Sequence, residues 1–196
     1  MPSLPLLIAV ALLAAALAAC AEPAPAPAVA DPAPTGSTDV AVLEPDTVEV
    51  SGVYRARARI RPVDGGARGV VTLTRVPGGT RVLAQLEGLS KQEYHALQIL
   101  RARECGADPD VHLGADLGTP HGGPYSPPGQ RHAGDLGSVR GDGGTGRYDR
   151  IATDLDLSGT TSPVGRALVV RQLRDDAVSP GGAAGAVIGC GVIEAA

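Results

Sequence analysis

From Val53 to Arg61 the chain alternates without a break: Tyr54, Ala56, Ala58 and Ile60 point one way, and Arg55, Arg57, Arg59 and Arg61 the other. Successive side chains of an extended chain face opposite sides, so this period of two predicts a half-buried antiparallel strand. The arginine edge reads most simply as a solvated face, with contact to an anionic surface as the other option. Gly65-Gly66 and Pro77-Gly78-Gly79 punctuate two further β-rich runs, Gly69–Arg75 and Thr80–Leu89. Tyr94–Arg101, Tyr148–Leu157, Arg166–Arg171 and Ala186–Ile193 follow, and no segment carries a helical period. Seven or eight strands joined by Gly/Pro turns predict an all-β fold, an antiparallel Greek-key barrel or sandwich.

Composition narrows the core and the partners. With no Phe or Trp and four Tyr, the interior must be built mainly from Val, Leu, Ile and Ala. A net charge of −4 argues against a nucleic-acid partner.

The first residues do not belong to that core. Met1–Ala19 is almost wholly apolar and ends Leu17-Ala18-Ala19-Cys20, the pattern of a bacterial lipoprotein signal whose cysteine becomes the lipidated N-terminus. A plain secretory signal or a membrane anchor is the alternative, and no Lys or Arg precedes the apolar run. Ala21–Thr47 places Pro23, Pro25, Pro27, Pro32 and Pro34 mostly among alanines, which predicts an extended tether rather than a packed element. The expected organisation is a signal over 1–19, a lipidated Cys20 and tether over 20–47, and a folded domain over 48–196. Ala21 after the lipidated cysteine points to the outer membrane, with the domain facing the periplasm. The membrane is then a partner through Cys20, while a protein partner and a homodimer are left open. With Cys20 taken by lipid, Cys105 and Cys190 remain, and an oxidising compartment would pair them; free buried thiols are the alternative.

Three of the four histidines fall between His112 and Asp135, on a stretch too rich in Gly and Pro for helix or central strand. His112, His121, His132 and Asp135 offer three imidazoles and a carboxylate, a set that suits a tetrahedral zinc ion. If all four bind, no position stays open, and such a site is structural rather than catalytic. A loop as long as Glu104–Arg131 in a small domain is expected to be pinned, here by metal and disulfide.

At this point the residues resemble the copper/zinc superoxide dismutase family. The resemblance spans nearly all of 48–196. It rests on Gly88-Leu89, His112…His121-Gly-Gly-Pro-Tyr, Arg131-His-Ala-Gly-Asp-Leu-Gly, Gly165-Arg-Ala-Leu-Val-Val, Asp175-Asp176 and Cys190-Gly-Val-Ile. His112-Leu and the Pro-Tyr after His121 look like the bacterial periplasmic branch. The resemblance implies that His112 is the metal-bridging histidine, that His121, His132 and Asp135 complete the zinc set, and that Cys105 and Cys190 form the disulfide. Asp175 falls at the aspartate that links zinc and copper ligands.

The copper half departs from the family. Gln98 and Leu100 fall at two copper-histidine positions, Arg171 at the third, and Val187 at the arginine that guides superoxide. His95 falls on a histidine that is not a copper ligand. Zinc is therefore the expected cofactor, and copper is not expected. Zn²⁺ has no accessible redox chemistry, and a guanidinium stays protonated where an imidazole should bind copper. Arg171 is expected either to donate to Asp175, Gln98 or nearby carbonyls, or to turn to solvent. Function then reads first as a zinc-stabilised, non-enzymatic envelope domain, with no catalytic residues. The alternatives are a dismutase with residual or relocated copper chemistry, and a zinc- or copper-handling protein; the lack of any Met beyond Met1 weakens the last.

Overall fold

A computed structural model of the chain describes residues 52–115 and 120–196. The signal sequence, Cys20 and the proline-rich stretch to Thr47 lie outside them. Eight strands follow in order: β1 (Arg55–Pro62), β2 (Arg68–Val76), β3 (Gly79–Glu87), β4 (Tyr94–Ile99), β5 (Asp135–Arg140), β6 (Thr145–Ala152), β7 (Ala167–Arg171) and β8 (Val187–Ala195). Between β7 and β8 lies a short 3-10 turn, Pro180–Ala183. All pairings are antiparallel, in the order β5-β4-β7-β8-β1-β2-β3-β6. The two outermost strands, β5 and β6, are joined by a tight turn in which Asp142 and Thr145 exchange backbone hydrogen bonds, so the sheet curls into a nearly closed barrel. The chain crosses between β3 and β4 and again between β6 and β7, which is the Greek-key path.

The interior is aliphatic, as the composition requires: Val71, Leu73, Leu86, Leu97, Leu168 and Ile193 pack together at its centre. On β1 the alternation holds for Ala56, Ala58 and Ile60, which are buried, and for its exposed arginines. Tyr54 departs from it. It precedes the strand and is 63 % exposed.

Two further expectations need correction. β5 has no counterpart among the predicted strands, because Asp135-Leu-Gly-Ser-Val-Arg mixes turn formers with only two branched apolar residues. The run Tyr148–Leu157 is also not one strand. β6 starts earlier, at Thr145, and ends at Ala152; Leu155 and Leu157 are buried from turns, where the Thr80 hydroxyl donates to the Leu155 carbonyl at 2.7 Å.

β7 is buried on both faces. Leu168 and Val170 enter the barrel interior, whereas Ala167 and Val169 join Leu100 and Cys190 in a separate small cluster. Leu100 and Ala102, just past β4, pack in this outer cluster. The stretch just past β4 is also tied to β8 by a disulfide between Cys105 and Cys190, with Cα atoms 5.9 Å apart.

Candidate metal centre

Asp135 opens β5, and its carboxylate organises everything near it. Oδ2 accepts the backbone N–H of Gly122 at 3.0 Å and of His132 at 2.9 Å. Oδ1 faces three imidazoles: the Nδ1 atoms of His112, His121 and His132 stand 2.6, 3.1 and 3.3 Å away. The three ring centroids are 5.2 to 5.8 Å apart. The sequence thus brings together four donors from one long loop, and all four residues are buried.

The proton inventory favours a cation at this point. His112 Nε2 donates to the Pro109 carbonyl at 3.2 Å, and His121 Nε2 donates to Asp175 Oδ1 at 2.7 Å. A neutral imidazole has one N–H, so both rings then turn a bare Nδ1 lone pair toward a carboxylate oxygen. His121 Nδ1 is buried and makes no hydrogen bond. Lone pairs facing a carboxylate repel unless a proton or a metal ion lies between them. The donor set fits a divalent ion: a tetrahedron with bonds of roughly 2.0–2.2 Å has edges of about 3.3–3.6 Å, so these contacts need only a small opening.

Electrostatics agree. Burial pushes the Asp135 carboxyl up, but the His112 and His121 imidazoles against it outweigh that and hold it well below the usual carboxylate range. For His121 burial opposes protonation, yet Asp135 and Asp175 together raise its pKa from 6.5 to about 10. Two carboxylates make this pocket a place for positive charge.

Behind His121, Asp175 forms a bridge. Oδ1 takes His121, while Oδ2 accepts Gln98 Nε2 at 3.0 Å. Such outer partners fix the tautomer and orientation of a ligating ring. Gly182 lies directly beneath, at φ +75°, where a Cβ would sit 2.7 Å from the Asp175 carboxylate.

Of the four positions where the sequence was expected to depart from the family pattern, Gln98 and Arg171 lie beside this bridge. Gln98 and Arg171 each stand just past a register shift in their strand, the kind of irregularity that re-aims a side chain. Arg171 is 4 % exposed. Its guanidinium donates from Nη1 to Gln98 Oε1 (3.2 Å) and to the Pro109 carbonyl (3.0 Å). Nε and Nη2 donate to the Gly185 carbonyl, and Nη1 and Nη2 to Asp110 Oδ1. Arg171 therefore turns inward rather than to solvent, and it reaches Asp175 only through Gln98. Leu100 is buried in the small apolar cluster, and Val187 packs against it opposite Arg171. His95 is consumed structurally: Nε2 accepts Ser90 N–H and Nδ1 donates to the Arg171 carbonyl, each at 3.1 Å.

Sequence reasoning missed Asp110, which pairs with Arg171 from 61 residues away, and no local signal connects the two. It also missed the clamp of Arg131, which donates to Asp154 at 2.6 Å and to the Pro124 carbonyl at 2.8 Å and so holds the histidine loop down.

Comparison with known proteins is consistent with this architecture. The model of a family described as copper/zinc superoxide dismutase matches residues 67–193. A copper–zinc superoxide dismutase of Deinococcus radiodurans is 31 % identical over 158 residues, spanning 74 % of this chain and 86 % of the relative. One from Paramecium bursaria Chlorella virus 1 is 30 % identical over 151 residues, spanning 72 % and 80 %. Among solved structures, a crystal structure of the clock protein EA4 aligns with a TM-score of 0.66 and 26 % identity, over 74 % of this chain and 97 % of that one.

Proposed function

The chain belongs to the copper/zinc superoxide dismutase family, and we propose that this member keeps a zinc ion as a structural centre but does not bind copper or dismutate superoxide. The observation that carries the reading is the buried Arg171 guanidinium. It is bonded to Gln98, Pro109, Asp110 and Gly185 beside the His112 ring, where the resemblance assigns a copper histidine. Dismutation needs a metal that alternates between two oxidation states. Copper(II) seeks imidazole or sulfur donors, whereas a guanidinium keeps its proton and has no lone pair to give. The His112 nitrogen that is not turned to Asp135 is engaged with the Pro109 carbonyl.

His112, His121, His132 and Asp135 would hold the zinc. Four protein ligands leave no position for substrate or activated water, so the ion's contribution is to folding. By its N-terminal sequence the protein is a lipoprotein of the bacterial envelope, anchored through Cys20 to the outer membrane on a proline-rich tether. Its domain then serves as a binding or structural module in the periplasm.

The test is metal counting and activity on one sample. Purified protein is offered copper and zinc together, its metals are counted by mass spectrometry, and superoxide consumption is measured. About one zinc per chain, no retained copper and no turnover is the expected result. Stoichiometric copper with turnover overturns the proposal in favour of an active dismutase. Tight copper without turnover points to metal handling.

A further inference from the structure

Three of the four tyrosines in this chain, which has no Phe or Trp, line one cleft of about 550 Å³ between β5, β6 and the residues after β7. Tyr148 closes its interior side, buried and bonded through its hydroxyl to the Leu136 carbonyl. Tyr94 and Tyr125 are 50 % and 86 % exposed. Large aromatic faces left in water at one place are unusual for a chain this poor in them, and they mark a binding surface.

The polar groups of the cleft are unequally occupied. The Arg150 guanidinium lies 3.7 Å from the centre of the Tyr125 ring and donates to the Pro124 carbonyl, which holds that ring in place. Asp149 is engaged by Arg81 and Arg147, and Asp175 by His121 and Gln98, so both carboxylates are already satisfied. Arg174 also lines the cleft and makes no hydrogen bond or ion pair with any described residue. Ser138 Oγ accepts the Asp175 N–H at 3.0 Å, which leaves its hydroxyl proton to donate. The cleft thus offers the Arg174 guanidinium and the Ser138 hydroxyl proton as donors between aromatic walls, beside the exposed tyrosine hydroxyls.

We propose that this cleft binds a small aromatic carboxylate, with the rings of Tyr94 and Tyr125 packing its apolar body and Arg174 and Ser138 taking its oxyanion. The volume is that of a site for a small organic ligand. A guanidinium fork suits a carboxylate geometrically, and a cation between aromatic walls discriminates against neutral ring compounds. Asp175 joins this cleft to the metal cluster, but the recognition uses Arg174, Ser138 and the tyrosine rings, so its test is read separately from the proposed loss of copper.

The probe pair is 2-naphthoate and its uncharged counterpart 2-naphthylmethanol, titrated into isotope-labelled full-length protein while amide shifts are followed by NMR. The expected result is saturable movement of the Ser138, Arg174 and Asp175 amides with 2-naphthoate, and binding at least tenfold weaker for the alcohol. Arg174→Gln, an exposed change that the fold tolerates, should weaken 2-naphthoate at least tenfold, and Tyr125→Ala should do likewise. Arg57→Gln on β1 should leave binding unchanged. Equal affinity for acid and alcohol, or binding untouched by Arg174→Gln, overturns the proposal. So does sedimentation showing that a second copy of the chain covers Tyr94 and Tyr125 and excludes the probe.

Discussion

Arg171 and His112 meet at one atom: the Pro109 carbonyl oxygen accepts Arg171 Nη1 at 3.0 Å and His112 Nε2 at 3.2 Å. The contact fixes which nitrogen of His112 carries its proton, and so which one faces Asp135. A strand residue far from the histidine loop thereby helps set the state of a ligand on it.

Arg171→Met should be costly although it adds no bulk. The Gln98 amide oxygen would lose its donor in a buried place, at about 1–3 kcal/mol, while the Pro109 carbonyl keeps His112 Nε2 and the exposed Gly185 carbonyl can turn to water. The expected loss is therefore about 1–3 kcal/mol in urea unfolding. Arg171→Lys should recover only part, because an ammonium cannot span the same fork.

Metal-free protein should be most stable in mildly acidic solution. The His121 pKa is raised to about 10, so its contribution is complete below the ordinary 6.5 and disappears as pH climbs through about 10. Asp135 is depressed, so its contribution is present above the ordinary carboxylate value and fades as pH falls through its lowered one. Zinc-loaded protein should reverse the alkaline arm, since a ligated His121 needs no proton. Melting temperatures from pH 5 to 10, with and without a chelator, should therefore diverge as pH rises. Parallel curves would refute the cation-bearing role of the cluster.

Asp175→Asn keeps the shape of the bridge but removes its charge. Outer partners of metal-bound histidines are worth roughly 10–100-fold in affinity, and a loss of that size is expected in a zinc competition titration. The fold should persist, as the Asn oxygen still accepts from His121.

Cys190→Ala should destabilise the domain by about 2–5 kcal/mol. Cys190 is buried in the small cluster under the loop, so part of the loss is packing, and the remainder should be matched by reducing the unmodified protein. Comparing the two denaturation midpoints separates the terms.

How much of this was visible in the sequence depends on range. β1 was legible because its small apolar residues alternate with arginine, and the His/Asp cluster because its residues crowd one Gly/Pro-rich stretch. β5 was not, since Gly137 and Ser138 mask a strand held by its pairing with β4 and by the buried Leu136 and Val139. Tyr54 was misjudged because alternation cannot tell where pairing begins. The surroundings of Arg171 depend on carbonyls at Pro109 and Gly185 that carry no side-chain signature. Only the folded chain brings them together.

The bond between Cys105 and Cys190, 85 residues apart, makes a covalent ring of the segment that carries all four candidate ligands as well as Arg171 and Asp175. A protease that cuts any one peptide bond inside that ring leaves a single molecule, its two pieces still joined through sulfur and packed in one barrel. A cut ahead of Cys105 releases everything on its N-terminal side from covalent attachment. Nicked protein should thus run as one species without reductant and as two with it, so the half of the chain that bears the site tolerates a break that the other half does not.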